Sequence, residues 1–143
     1  MRVKSRHHLR SDEVRALEER LADRLGIDLA GETYERVDLE GSAVDLVLVD
    51  GDPAVVDVAD EAFPTVRGAN GHSPERRVVT VDAGAISFVS DGADVMRPGI
   101  VAADEAIAEG DLVLVAEETH GKVLAVGRAL VDGAEMTGES GRV

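Results

Sequence analysis

The chain has 143 residues, 44% of them apolar, enough to bury one ordinary core or two small ones, which excludes global disorder. Twenty-nine Asp and Glu stand against 15 Lys and Arg, a formal net charge of -14, which taken alone argues against nucleic acid as a partner. Only Tyr34, Phe63 and Phe88 are aromatic, too few for a row of rings stacking on a single strand.

In chain order, the start (MRVKSRHHLR) is basic, with no apolar stretch behind it, so it is not a secretory signal; taken alone it reads as a frayed tail. Ser11 is placed to cap a helix whose first turn holds Asp12 and Glu13, at the positive end of the helix dipole. Val14, Leu17, Leu21 and Leu25 then recur every three or four residues as one apolar stripe, and Gly26 supplies the stop. Residues 33–40 predict a strand. Residues 43–49 and 54–58 flank Asp50-Gly51-Asp52-Pro53 and predict a hairpin. The Gly-, Pro- and Asn-rich stretch over 63–74 is the best candidate for a domain boundary. Beyond it, 77–81 predicts a β-branched strand and 83–90 one or two helical turns closed by Asp91-Gly92. Short strands are expected at 95–98, 111–116 and 123–131. The fold class is therefore α+β: a small N-terminal α/β domain over 1–74, then a mostly β barrel-like domain with one short helix over 75–143.

The charge is unevenly spread. Residues 1–10 carry four bases and no acid, with Lys4 and Arg6 among them. Residues 11–64 carry 16 acids and 4 bases. Residues 65–81 are basic again through Arg67, Arg76 and Arg77, against the single acid Glu75. Residues 82–143 carry 12 acids and 4 bases. Two basic islands thus stand in an acidic background. Thirteen of the 15 bases are Arg, and only Lys4 and Lys122 are lysines. Dispersed acids with so little Lys point to a protein working in concentrated salt, where repulsion is screened within a few ångströms. The other reading is an acidic surface for a basic partner.

The enzyme templates fail: there is no GxSxG elbow and no phosphate-cradling glycine loop. Asp50, Asp52 and Glu61 have the outer spacing of a calcium loop, but Val55 stands where that loop needs glycine. Adjacent His7 and His8 point to different sides of any regular element, and His72 and His120 are distant, so no zinc set is formed. No cysteine and no membrane-length apolar run is present. We expect no catalytic residue, no metal and no cofactor, and a cytoplasmic protein.

The informative segment is VDAGAISFVSDGADVMRPGI, residues 81–100. Gly84 falls where a strand turns into a helix, so the backbone there is closely approachable and a helix-start N–H can meet a phosphate. Val95 and Met96 offer apolar faces beside Arg97, one of only four bases after residue 81. Without further information, the same residues make ordinary barrel turns with Met96 in the core.

This segment, with Gly110-Asp111 before an apolar strand and Leu124-Ala125-Val126-Gly127, resembles the PUA domain, the RNA-binding module of pseudouridine synthases and archaeosine transglycosylases. Over its full length the chain resembles archaeal single-chain PUA proteins related to the malignant T-cell-amplified-sequence family of translation factors. The matching pieces are Lys4-Ser5-Arg6, the Asp50-Gly51 turn with Pro53, Phe63-Pro64-Thr65-Val66, Asp82-Ala83-Gly84-Ala85 and Gly92-Ala93-Asp94-Val95-Met96. Together with the near-absence of Lys, the resemblance implies a haloarchaeal protein: a pre-PUA domain followed by a PUA pseudo-barrel.

The resemblance also implies binding to structured RNA, a tRNA acceptor end or ribosomal RNA, in connection with translation and the ribosome, with no DNA or membrane partner. Carried over by position, the RNA groove comprises Gly84, Ala85, Ser90, Asp94, Val95, Met96, Arg97 and Pro98. The islands at Lys4, Arg6, Arg67, Arg76 and Arg77 are expected to assist. The alternative is an adaptor that docks a translation factor through the N-terminal domain. The family continues past Gly141-Arg142-Val143 into a further strand, so the last barrel strand is expected to be incomplete. Where lysines are lacking, phosphate contacts are expected to give way to shape and hydrogen bonds.

Overall fold

A computed structural model describes residues 2–58, 61–90, 92–138 and 141–143. The chain is a mixed α/β protein with two sheets and three helices among the described residues, and it divides into two compact units, Met1–Ser73 and Pro74–Val143.

The first unit is an antiparallel five-stranded meander in the order β1 (Val3–His8), β2 (Tyr34–Leu39), β3 (Val44–Val49), β4 (Asp52–Val58) and β5 (Glu61–Pro64). The basic N-terminus is therefore an edge strand rather than a tail. It pairs along β2, with a bulge between Val3 and Ser5, and every residue of β1 is exposed. A charged, bulged edge of this kind discourages pairing with other chains.

Helix α1 (Ser11–Leu25) buries Leu17, Leu21 and Leu25, the stripe read from the sequence. Its cap differs from the expected one. Arg10 precedes the first turn, and the Glu13 carboxylate reaches back to accept from the Arg10 N–H at 3.0 Å. Ser11 is already helical. Gly26 ends the helix at φ 70°, its N–H bonding to the Ala22 carbonyl. Tyr34 ties the helix to the sheet: its hydroxyl accepts from the Gly31 N–H at 3.0 Å and donates to Glu18 at 2.9 Å. Burial, with the Glu18 carboxylate beside it, pushes the phenol above its ordinary range.

The hairpin turn is Asp50-Gly51, both with positive φ, the geometry that a two-residue turn requires for the strands to keep their twist. Asp52 and Pro53 belong to β4. Asp50 has a second role: its carboxylate accepts from the Thr33 N–H at 2.8 Å and the Glu32 N–H at 2.9 Å, which holds its pKa below the usual carboxylate range.

The stretch over 63–74 is more ordered than its composition suggests. Phe63 and Pro64 finish β5, and Val66–His72 forms α2. Thr65 caps that helix by accepting from the Gly68 N–H at 3.0 Å while donating to the Pro53 carbonyl at 2.8 Å. Gly68 is needed for packing, because a Cβ there would overlap the Ala54 carbonyl of β4.

The second unit is built on a four-stranded sheet in the order β7 (Ile100–Ala103), β6 (Val78–Val81), β8 (Leu112–Glu117) and β9 (Val123–Arg128). β6 and β8 run parallel and the other pairs antiparallel. Its core is Val79, Val81, Val89, Ile100, Ile107, Val113, Val115, Ala129, Met136 and Val143. A strand expected at 95–98 is reduced to one bridge, Met96 to Arg142, followed by a 3-10 turn over Arg97–Gly99. Pro98 cannot donate a ladder hydrogen bond, and the strand forms instead just after it, as β7. The last residues do pair: the Arg97 N–H bonds to the Gly141 carbonyl, Val143 N–H to Val95, and Leu130 N–H to Val143. The strand expected to reach 131 ends at Arg128.

Buried Glu117 pins the β8–β9 turn. Its carboxylate accepts from the Lys122 N–H at 2.9 Å and the His120 N–H at 2.7 Å, which lowers its pKa below the ordinary value.

Candidate nucleic-acid interface

Within the second unit, β6 leads into Asp82, a 3-10 turn over Ala83–Ala85, and helix α3 (Ile86–Ser90). The Asp82 side chain folds over this start and accepts from the Ala85 N–H at 3.0 Å. An open cleft of about 520 Å³ lies against it. Six of the expected site residues line it: Gly84, Ala85, Asp94, Val95, Met96 and Pro98. Asp82, Phe88, Val89, Ala93 and Gly99 complete the lining. Asp91, expected to help close the helix, lies outside the described residues.

At Gly84 the fold does not require the side chain to be missing. A Cβ there would meet only the Asp82 Oδ1, at 3.3 Å, and otherwise open space. The sequence motif marked the position; the structure leaves its side toward the cleft open.

Ser90 and Arg97 are not among the lining residues. Arg97 turns the other way, its Nε donating to the Glu135 carbonyl at 2.8 Å. A Cβ built on Gly138 would stand 3.1 Å from Arg97 Cδ, and one on Gly141 would collide with the guanidinium. Arg97 therefore lies along the C-terminal segment, where two glycines make room for it. Its neighbour Met96 is 47% exposed, so it is not a core residue.

The phosphate expected at the helix start meets a difficulty. The Ala85 N–H is taken by Asp82, and that carboxylate places negative charge where a phosphate would approach. No Lys, Arg or His is among the lining residues.

The basic islands are largely committed to carboxylates. Arg6 pairs with Glu35 at 2.6 Å, Arg67 with Asp52 at 3.2 Å, and Arg77 with Asp111. Arg76 is engaged as well. Lys4 is exposed on β1. Exposed pairs of this kind contribute only about 0–1 kcal/mol, so a phosphate could displace the carboxylates of Arg6 and Arg67 at little cost.

Sequence reasoning missed Phe88 as a site residue. It is 66% exposed and lines the cleft. The available signal was an aromatic residue on a short helix in a chain with only three aromatics. Among the described residues, no group of three or more His, Asp or Glu is placed to hold a metal ion. Among the same residues, no helix is long and apolar enough to cross a membrane.

Comparison with known proteins places this cleft in a family. Residues 77–142 match the PUA domain, and that range contains all the cleft-lining residues. An uncharacterized protein of Methanocaldococcus jannaschii is 46% identical over 92 residues, 64% of this chain and 57% of the relative. Translation machinery-associated protein 20 of Eremothecium gossypii is 31% identical over 78 residues, 50% of this chain and 43% of the relative. The chain thus spans about half the length of the curated relatives it matches. Among solved structures, a conserved PUA domain protein from Thermoplasma acidophilum superimposes with a TM-score of 0.79 at 30% identity, over 97% of this chain and 92% of that one. The second unit is a PUA domain, and the chain belongs to the PUA-domain proteins.

Proposed function

We propose that this protein binds structured RNA, a tRNA acceptor end or ribosomal RNA, through the cleft at the start of α3, in connection with translation. The observation that carries the reading is the cleft itself: an open surface over a helix start, inside residues 77–142, with Gly84 unobstructed on its ligand side. PUA domains are generally RNA-binding, and the similarity to translation machinery-associated protein 20 supports the link to translation. Gly84, Ala85, Asp94, Val95, Met96 and Pro98 are the contact residues in this reading. The first unit is read as the pre-PUA domain, with Lys4, Arg6 and Arg67 as secondary phosphate contacts. The acid-rich, Lys-poor composition supports a protein of salt-rich cytoplasm.

RNA recognised through shape, 2′-hydroxyls and splayed bases does not need a large positive field. Few phosphate contacts mean little counterion release, so affinity should fall only shallowly with salt. Fluorescence anisotropy with tRNA and ribosomal RNA fragments over a range of salt tests this. Binding that persists at high salt is expected. No binding, or a steep loss with salt, would overturn the reading. A partner that survives RNase digestion and requires residues 1–73 would replace it with the adaptor role.

A further inference from the structure

We propose that a second cleft, in the first unit, binds a small aliphatic zwitterion, an amino acid with one ammonium and one carboxylate group on an apolar skeleton. Arg15 takes the carboxylate, and Glu18 with Glu32 the ammonium. The inference does not depend on the RNA reading above.

The cleft has a volume of about 400 Å³ and lies between the end of β1, the first two turns of α1 and residues 31–34 leading into β2. That is the size of a small-molecule site. Its lining carries both signs of charge, Arg15 against Glu18 and Glu32. His8 lines it too, with its Nε2 4.0 Å from the Glu35 carboxylate. A simple anion meets two carboxylates here, and a simple amine meets a guanidinium. A ligand with both charges meets a complement to each. Leu9 and Val14, both half-buried, supply the apolar part of the wall.

The opposite charges stand near one another without cancelling. Arg15 and Glu18 are three residues apart on α1, where side chains are neighbours and opposite signs ordinarily draw together. Glu18 is committed elsewhere. The phenol of Tyr34, only 4% exposed, accepts from the Gly31 N–H at 3.0 Å and donates to Glu18 Oε2 at 2.9 Å. Glu18 is thereby held to β2, and its Oε1 has no partner among the described residues. Arg15 has none either, whereas Arg6, Arg10, Arg24, Arg36 and Arg67 of the same unit are all ion-paired.

The facing wall is set before a ligand arrives. Asp50 Oδ1 holds the Glu32 and Thr33 N–H groups at 2.9 and 2.8 Å. Gly31 packs so closely that a Cβ there would overlap the Val49 side chain. A wall already fixed spares binding the cost of ordering it. Glu32 itself is exposed, and its carboxylate has no partner among the described residues. The planar Arg15 guanidinium can accept a carboxylate on two donors, and the three N–H donors of an ammonium group suit Glu18 Oε1 and the Glu32 carboxylate.

The test uses the full chain and three probes: L-leucine, isocaproate, which lacks the ammonium group, and isoamylamine, which lacks the carboxylate. Each is titrated at fixed pH and salt while backbone amide signals are followed by NMR, for the wild type, Arg15→Gln and Glu18→Gln. Arg15 is exposed, and a glutamine at position 18 can still accept from Tyr34, so both variants should keep the wild-type melting temperature, which is measured alongside. Leucine should give saturable shifts over residues 8–18 and 31–34. Each analogue should bind about tenfold or more weakly, the loss of one charge-assisted contact. Arg15→Gln should weaken leucine by about the same factor without weakening isoamylamine. Glu18→Gln should weaken leucine likewise without weakening isocaproate.

Absence of saturable shifts with leucine overturns the proposal. Isoamylamine binding as tightly as leucine would make the cleft a cation site, and isocaproate doing so an anion site; either result overturns it. Leucine binding unchanged in both variants places the ligand elsewhere and overturns it as well.

Discussion

Replacing Gly84 by Ala separates ligand binding from folding more cleanly than any other single change in the cleft. The new Cβ would stand 3.3 Å from Asp82 Oδ1, tight by a few tenths of an ångström, with nothing else within 4 Å. Two local effects then oppose each other. If the Asp82 carboxylate shifts off the Ala85 N–H, the lost cap costs about 1 kcal/mol. Replacing glycine by alanine in a helical turn returns up to about 1 kcal/mol. Gly84 has no positive φ to forbid the change. The net effect on stability should lie within about 1 kcal/mol, a shift of only a few degrees in Tm for a unit of this size. RNA affinity should nevertheless fall about tenfold, or about 1.4 kcal/mol, because the methyl group occupies the space the ligand approaches. Gly133→Ala is the matched control: its Cβ would overlap the Asp104 carbonyl, so it should destabilise by about 1–3 kcal/mol while lying outside the cleft. The assay pairs thermal melts with RNA anisotropy on both variants. Unchanged RNA affinity in Gly84→Ala, or a loss of stability as large as that of Gly133→Ala, would refute the reasoning.

Two further predictions follow from side chains the site does not use directly. Arg97→Ala should lower stability by about 1–2 kcal/mol, because it removes the bond to the Glu135 carbonyl and the stem lying against Gly138, and RNA affinity should fall no further than the loss of folded protein explains. Lost RNA binding at an unchanged melting temperature would place Arg97 on the RNA after all. Glu117 has a lowered pKa because it accepts from the Lys122 and His120 N–H groups, so its contribution is complete above the ordinary 4.5 and is lost as pH falls through the lower folded value. Acid unfolding monitored by circular dichroism should therefore show a shallower acid limb in Glu117→Gln than in the wild type; an identical limb would mean that this carboxylate is not a stabilising one.

How much of this was legible in the sequence depends on whether the signal was local. The α1 stripe of Leu17, Leu21 and Leu25, the stop at Gly26 and the Asp50-Gly51 turn were legible because each is fixed within one or two turns of chain. The helix start at Gly84 was legible from its motif. The edge strand β1 was not, because its residues are exposed on both faces and carry no alternation; only pairing with β2 makes it a strand. Helix α2 was hidden by its Gly and Asn content. It is held by the Thr65 cap and by a close approach to β4 that Gly68 alone permits.

The charge of -14 and the shortage of aromatics follow from composition, and so does the conclusion that an RNA site here cannot rest on a broad positive field or a row of rings. Which side chains line the cleft was decided only in three dimensions. Arg97 and Met96 are neighbours in sequence, yet one lies along the C-terminal segment and the other opens into the cleft, because the Glu135 carbonyl holds the Arg97 Nε and Gly138 and Gly141 leave room for its side chain. The fold likewise leaves the helix start lined by carboxylates and Phe88 without a cation, a property of pairing between distant segments that no local pattern contains.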